Sequence, residues 1–284
     1  MSTKIKLSLW AVAMSVAVSA FADGDAPHYG NCTPTGQHGS LQLQTLEPGT
    51  LTVATVLPNP GWYNGQSPSS TKDGFEYCMA AEIAHRAGLQ KLRLINLAWD
   101  QYISGTAKGY DLAIASTTIT EPRKKVFNFS RPYYSSNLAV AVKASSNLET
   151  TEQLKTKRIG VLQGNMGSEW VARTLKPSPP AKVYQTQPDL ITALLAGQID
   201  AIITDTTVVL SATHGSRGAV KVIGQFQLDQ GYGVVTPKGS ANTEAIDSAV
   251  GAMNEDGTLT RLSALYLKPL FGVDPNSIPL WQLP

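Results

Sequence analysis

The sequence predicts an α/β protein. Short runs rich in β-branched residues alternate with helix-length segments, and glycine and proline separate them. The composition is that of a globular chain, with 42% hydrophobic and 15% charged residues among 284. This composition excludes collagen-like and disordered classes, and the length allows one large domain or two lobes of ordinary size.

The first half of the chain contains four predicted strands and one long helix. LTVATV is rich in β-branched residues, KLRLINL alternates apolar and polar positions, and DLAIAS and LAVAVK are continuous apolar runs typical of buried strands. FEYCMAAEIAHRAG has the spacing of a helix, and Gly88 provides its C-terminal stop. In chain order, these elements are a strand over 51–56, a loop over 57–74, a helix over 75–87 and strands over 91–97, 111–116 and 138–143.

The second half continues the alternation. RIGVL, DAIIT and GVVT are short β-rich runs, and the segments between them have the length and composition of helices. Mostly parallel sheets are therefore expected. In chain order, the elements are a strand over 158–162, a helix from 165, a strand over 182–184, a helix over 188–196, strands over 200–204 and 233–236, and helices within 242–267.

Residues 1–22 have the pattern of a secretory signal peptide. Lys4 and Lys6 precede an uncharged apolar run, and Ala20-Phe21-Ala22 matches an A-x-A cleavage site. The apolar run is too short to span a membrane. We therefore expect cleavage after Ala22 and a free product in the periplasm.

Cys32 and Cys78 are the two cysteines of the chain. Export to an oxidising compartment and an even count favour a Cys32–Cys78 disulfide, although Cys78 as a buried free thiol is the simpler alternative. A metal site at His28, Cys32 and His38 is a third interpretation, but this spacing matches no standard zinc site. We therefore expect a disulfide and no metal.

Several functional classes are disfavoured by what the sequence contains. It has no Walker loop, G-x-S-x-G, H-E-x-x-H or C-x-x-C motif, so the sequence predicts neither a cofactor nor catalysis of these kinds. A formal net charge of +2 without a lysine and arginine stripe disfavours nucleic-acid binding.

The segment 111–134, DLAIASTTITEPRKKVFNFSRPYY, points to a ligand site. A buried strand ends in hydroxyl residues that are followed by an arginine, and open α/β sheets bind ligands at the carboxyl ends of their strands. The hydroxyl of Thr118 and the planar guanidinium of Arg123 suit a carboxylate. SRPYY, over 130–134, is interpreted as a proline turn before the next strand.

This segment resembles the periplasmic solute-binding proteins of polar-amino-acid ABC importers. Their pattern D-L-x-x-x-x-x-T-x-T-x-x-R-x-x-x-x-x-F-S-x-P-Y-Y is matched at every specified position. Further segments resemble the same family in the same order, and the resemblance covers residues 50 to 270. They are DGFEYCMAAEIA from 73, Trp99-Asp100, IGVLQG from 159, IDAIITD from 199 and YGVVTPK from 232.

The resemblance implies the type II periplasmic-binding-protein fold, in which two lobes are joined by a hinge of two crossing strands and close on a ligand. Residues 41–141 and 233–284 are expected to form lobe 1, and residues 142–232 lobe 2. It also implies an amino-acid ligand, an ABC importer permease as partner, a monomer, and no enzymatic activity.

The resemblance further assigns site residues. Arg123 and Thr118 would bind the α-carboxylate, Asp205 would pair with the α-ammonium, and the carbonyl of Ser116 would face that ammonium. Asp205 could instead, or also, cap a helix beginning at Thr206. Asn165 and Met166 occupy positions where the family often has two hydroxyl donors, and here main-chain N–H groups would serve.

The walls and the side-chain pocket follow from the same comparison. Trp99 matches an aromatic wall, with plain core as its alternative, and Trp62 and Tyr63 are candidates for the opposite wall. Many members place an aspartate at the end of the first strand, where Val56 stands here. A buried valine offers no partner for a cationic side chain, so an uncharged amino acid is expected.

Two other functions stay open at this point. One is a dehydratase of the same fold acting on prephenate- or arogenate-like acids, for which Glu169 is the carboxylate nearest the lobe-2 loop. The other is a ligand-sensing module of a receptor.

Overall fold

The structure, a computed structural model, describes residues 28–228 and 231–282. The predicted signal peptide lies outside this range and stays a prediction. None of the helices in the described ranges is long and apolar enough to cross a membrane.

The chain forms two lobes, each built on a five-stranded sheet with helices packed around it. The first sheet has the strand order β2-β1-β3-β10-β4. Its strands are β1 (Thr50–Thr55), β2 (Lys91–Asn96), β3 (Leu112–Ala113), β4 (Phe127–Ser135) and β10 (Gly231–Pro237). Its helices are α1 (Phe75–Arg86), α2 (Trp99–Ile103), α3 (Glu121–Lys124), α8 (Thr243–Glu255), α9 (Thr258–Tyr266) and α10 (Lys268–Phe271).

The second sheet has the order β7-β6-β8-β5-β9. Its strands are β5 (Leu138–Lys143), β6 (Ile159–Leu162), β7 (Lys182–Tyr184), β8 (Ala201–Asp205) and β9 (Val220–Phe226). Its helices are α4 (Thr151–Leu154), α5 (Met166–Trp170), α6 (Gln187–Leu195) and α7 (Thr206–Gly215). A π-helical turn (Val171–Leu175) extends α5, and a 3₁₀ turn (Pro275–Ser277) follows α10 in the first lobe.

The chain passes between the sheets twice, from β4 to β5 and from β9 to β10. This arrangement confirms the two-lobe fold with a two-strand hinge. In each sheet four of the five strands run in the same direction, in agreement with the expectation of mostly parallel sheets. The exceptions are β10 in the first sheet and β5 in the second, which pair antiparallel with both neighbours. These antiparallel strands are the ones that follow a crossing.

The predicted proline turn at 130–134 is wrong, because these residues lie inside β4. β4 is at the edge of the first sheet and pairs with β10 alone. Pro132, which has no N–H to donate, is therefore tolerated there. β9 carries no strand prediction, and the predicted strand over 111–116 is regular only at Leu112–Ala113.

The C-terminal segment extends the contact between the lobes beyond the two crossings. Ile278 packs in the core of the first lobe, whereas Trp281 packs against the core of the second. The main chain of Gln225 in β9 accepts from the N–H of Trp281 and donates to the carbonyl of Pro279. The lobe boundaries drawn from the sequence, which place all of 233–284 in lobe 1, stay a prediction.

The leader, residues 28–41, packs along α1. Glu82, a buried carboxylate of α1, accepts from the main-chain N–H groups of Thr35 (2.9 Å) and Gly36 (2.7 Å). Cys32 and Cys78, 46 residues apart in sequence, form the predicted disulfide, which attaches this leader to the helix. Because Cys32 is bonded to Cys78, it supplies no thiolate to a metal.

Removing the disulfide is expected to lower the free energy of unfolding by about 4 kcal/mol, because a long loop of the unfolded chain is no longer closed. The change is Cys32→Ala with Cys78→Ala, measured by urea unfolding without reductant. Wild-type protein in reductant should lose a similar amount. Equal stability of the oxidised wild type and the double variant would contradict the prediction.

Candidate functional site

A cavity of about 660 Å³ lies between the lobes. Its walls are formed where strands end: Val56 follows β1, Asn96 ends β2, and Ser116 lies just beyond β3. On the other side, Gln185 follows β7 and Asp205 ends β8. This position is the one where open α/β sheets bind ligands. The remaining lining residues are Leu57, Pro58, Asn59, Leu97, Ala98, Trp99, Asp100, Ala115, Leu162, Asn165, Thr186, Gln187, Pro188 and Val208.

Arg123 lies in α3, where the hydroxyl of Thr120 caps the helix by accepting from the Arg123 N–H. The arginine side chain is buried, and its Nη1 donates to the carbonyl of Thr118 at 2.8 Å. Its Nη2 donates to the carbonyl of Gly164 at 2.9 Å, and this contact crosses from the first lobe to the second. Arg123 therefore stands at the contact between the lobes with its fork of donors held in place.

The indole of Trp99 lies under this guanidinium, with the Arg123 carbon Cζ 5.5 Å from the ring centre. Trp99 is half-buried at the start of α2 and lines the cavity, so the structure places it in a wall. Burial lowers the pKa of Arg123, and the negative charge of Asp205 acts in the opposite direction.

Asp205 is buried at the end of β8 and lines the cavity. Its Oδ2 accepts from the Nδ2 of Asn165 at 2.8 Å. The Asp205 side chain makes no capping bond to the N-terminus of α7, although it stands at the capping position. Burial raises the pKa of Asp205, because desolvation penalises the carboxylate. Asn165, Arg123 and Tyr232 act in the opposite direction and lower that pKa. The carboxylate lines the cavity.

Asn165 orients Asp205 and caps α5 at the same time. Its Oδ1 accepts from the N–H of Gly167 at 2.8 Å and from the hydroxyl of Thr204 at 3.1 Å. Its own main-chain N–H donates to the carbonyl of Leu162. Asn165 therefore lies in the cavity wall, and its main-chain N–H and its amide already have partners.

Arg123 does not line the cavity, and neither do three other residues assigned from the sequence. Trp62 is completely buried in the first lobe, and the centre of its ring lies 5.3 Å from the ring centre of Phe75 and 5.2 Å from that of Tyr134. Met166 packs against the core of the second lobe. Thr118 is buried and contributes its carbonyl to Arg123. Trp62 is not a wall, because its carbonyl accepts from the N–H groups of Glu76 and Tyr77 at the start of α1 and its indole packs in the core.

The structure adds polar residues that the sequence analysis missed. Asn96, Gln185 and Gln187 bring amide groups to the cavity, and Asp100 adds an exposed carboxylate. Asn96 and Gln185 could have been found by applying the strand-end rule to every predicted strand. Gln187 and Asp100 carry no comparable signal.

Comparisons with known proteins show the family to which the chain belongs. The profile of the bacterial extracellular solute-binding proteins, family 3, matches residues 51–269. The L-cystine-binding protein TcyJ of Escherichia coli K12 is 30% identical over 238 residues, which cover 82% of this chain and 87% of that protein.

Solved structures show the same fold. An ancestral arginine-binding protein bound to arginine superposes with a TM-score of 0.68 at 28% identity, covering 77% of this chain and 98% of that one. The ancestral amino-acid-binding protein AncCDT-1, a precursor of cyclohexadienyl dehydratase, has a TM-score of 0.66 at 24% identity, covering 78% of this chain and 96% of that one. The family profile spans most of the described chain, and the chain belongs to the bacterial extracellular solute-binding proteins, family 3.

Proposed function

We propose that this protein is the substrate-binding component of an ABC importer, which captures an amino acid with an uncharged side chain between its lobes and delivers it to a membrane permease. The observation that carries the proposal is the pair formed by Arg123 and Asp205. A buried guanidinium and a buried carboxylate near one cavity can bind the two charged ends of an α-amino acid. Family membership and the names of the relatives support the same reading.

The preference for an uncharged side chain rests on the remaining walls. Val56 lines the cavity and offers no partner for a cation. The amides of Asn96, Gln185 and Gln187 suit a neutral polar group, and Asp100, the other carboxylate of the lining, is exposed to solvent. L-cystine, the ligand named for TcyJ, ends in a second ammonium and a second carboxylate whose charges sum to zero, and side-chain amides can donate to the carboxylate and accept from the ammonium.

We also propose a periplasmic, monomeric protein without a cofactor and without nucleic-acid partners. The dehydratase alternative is less well supported. Glu169, its candidate acid, pairs with Arg173 at 2.9 Å in the helical segment and does not line the cavity. AncCDT-1 shares only the fold with this chain at the identity observed.

A thermal-shift screen tests the proposal. Ligand binding stabilises the native state by RT ln(1 + [L]/Kd), about 2.7 kcal/mol at a hundredfold excess over Kd, which raises Tm by roughly 5–10 °C. L-cystine and L-glutamine are expected to raise Tm more than L-arginine and L-lysine. A larger shift with L-arginine would contradict the uncharged preference. The absence of a shift with every amino acid, together with turnover of prephenate, would favour the enzyme.

A further inference from the structure

Glu76 is a completely buried carboxylate in the first turn of α1, behind the cavity wall. Its Oε1 accepts three hydrogen bonds, from the N–H of Ser116 (2.7 Å), the hydroxyl of Ser116 (3.0 Å) and the hydroxyl of Tyr133 (2.5 Å). Among the described residues, no partner is found for Oε2. Glu76 does not line the cavity, so any effect on a ligand must pass through Ser116.

Ser116 needs such support because its backbone is unusual. Its φ of +47° lies in the left-handed region, which residues other than glycine, asparagine and aspartate rarely adopt. The two bonds from Ser116 to Glu76 hold both its main chain and its side chain, and thereby offset the conformational cost. Ser116 itself lines the cavity.

The residues that follow Ser116 connect its backbone conformation to the side chain of Arg123. The carbonyl of Thr118 accepts from Nη1 of Arg123 at 2.8 Å. The carbonyl of Thr117 accepts from the N–H of Gly233 at 3.0 Å, which ties the loop to β10. A change of backbone conformation at Ser116 would therefore move the carbonyl that holds the guanidinium.

We propose that Glu76 is a positioning residue for ligand binding: its carboxylate holds Ser116 in the left-handed conformation and thereby sets the 115–118 main chain on which Arg123 and the ligand dock. This inference rests on the proposed function, because it concerns the same amino-acid site. It assigns to a residue outside the cavity a measurable share of the affinity.

The surroundings of Glu76 make this support dependent on pH. Burial raises the pKa of Glu76 to about 7, and the bonds from Ser116 and Tyr133 act in the opposite direction. The titratable groups that interact with it from neighbouring elements are the phenols of Tyr63, Tyr102, Tyr133 and Tyr232. As the pH rises through 7, Glu76 ionises and its three acceptor bonds become charge-assisted, which strengthens them. Affinity should therefore increase with pH over this range.

The test combines calorimetric titration with NMR of the ligand-free protein between pH 6 and pH 8. The variants are Glu76→Gln, which is nearly isosteric and does not ionise, and Glu76→Ala, each also in a Ser116→Gly background. Glu82→Gln is the matched control, because Glu82 is a buried carboxylate on the same helix whose partners lie in the leader and in Arg86. The ligand is the amino acid with the largest thermal shift, and its own titration is the same in every variant.

Wild-type protein and Glu82→Gln should bind about fivefold more tightly at pH 8 than at pH 6, whereas Glu76→Gln should lose this difference. Glu76→Ala should weaken binding about tenfold or more at pH 8, and less in the Ser116→Gly background, where glycine adopts the left-handed conformation freely. In the ligand-free wild type, the Ser116 amide shift should titrate near pH 7, and Glu76→Gln should abolish this change.

The inference is overturned if Glu76→Gln keeps the wild-type pH profile of affinity, or if the Ser116 amide shift in the wild type does not follow pH. Equal losses from Glu76→Ala with serine and with glycine at position 116 would also overturn it. Because the amide titration needs no ligand, it tests the contact even if no amino acid binds. Failure of the proposed function is thus distinguishable from failure of this inference.

Discussion

Replacing Arg123 with alanine is expected to weaken amino-acid binding by about 2–5 kcal/mol, at least about thirtyfold in Kd. The guanidinium is buried beside Trp99 of the cavity wall, and without it the carboxylate of the proposed ligand would be desolvated and left unpaired. The substitution also removes the bond to the Gly164 carbonyl, which links the two lobes. The measurement is calorimetric titration with the amino acid identified by the thermal-shift screen.

Two further variants make the result specific. Arg123→Lys keeps the charge but loses the planar fork, so it should recover only part of the affinity. Lys124→Ala is the matched control, because Lys124 lies beside Arg123 on α3 and its ammonium pairs with the exposed Glu121 at 2.8 Å. Wild-type affinity in Arg123→Ala, or an equal loss in Lys124→Ala, would refute the role assigned to Arg123.

Much of the fold follows from local patterns in the sequence. LTVATV, KLRLINL and LAVAVK carry strand signals over their whole length, and each is a strand with bounds close to those expected. The place of the candidate site follows from one rule combined with these strands, since Ser116 and Asp205, which line the cavity, both lie at or just beyond strand ends. The local sequence pattern is sufficient to predict a strand, and the site at its end, where the residues of the strand themselves decide its conformation and its burial.

The errors concern contacts between distant segments. Trp62 lies in a loop, and nothing local distinguishes an indole that faces a ligand from one that packs on Phe75 and Tyr134. Pro132 suggests a turn, but it occurs within a strand because that strand is at the sheet edge, a property set by the whole sheet.

The same limit applies to Glu76 and to the C-terminal segment. The sequence marks Glu76 as part of a helix start, whereas its partner Ser116 lies 40 residues further along the chain. The hydrogen bond from the N–H of Trp281 to the carbonyl of Gln225 depends on how the two lobes face each other. The roles of these residues can be recognised only in the folded structure, because they depend on contacts between segments that are distant in sequence.

Asp205→Asn is expected to weaken binding of the cognate amino acid about 10–100-fold, because a hydrogen bond to a charged group contributes roughly 1.5–3 kcal/mol. Asparagine has nearly the same shape, and its carbonyl oxygen can still accept from the Nδ2 of Asn165, which now contacts Asp205 at 2.8 Å. The substitution therefore removes the counter-charge of the ligand ammonium and leaves the wall intact. Calorimetric titration gives the affinity.

The deaminated analogue of the same amino acid separates this role from a structural one. It keeps the carboxylate that we propose Arg123 binds and lacks the ammonium, so its affinity should change little between wild type and Asp205→Asn. Asp200→Asn is the control, because Asp200 stands at the other end of β8 and pairs with Arg158 at the surface. That variant should bind both ligands as the wild type does.

The contrast between the two ligands decides the assignment. If Asp205→Asn weakens the amino acid and its deaminated analogue equally, Asp205 serves mainly to hold Asn165 and the start of α5. The absence of a capping bond from Asp205 to α7 argues against a purely structural role at that helix. Asp205 is buried at a strand end, accepts from the amide of Asn165 and lines the cavity. A cation in that cavity would stabilise its carboxylate. Selective loss of the amino acid is therefore the expected result, with the acid end of the ligand bound at Arg123 and the amine end at Asp205.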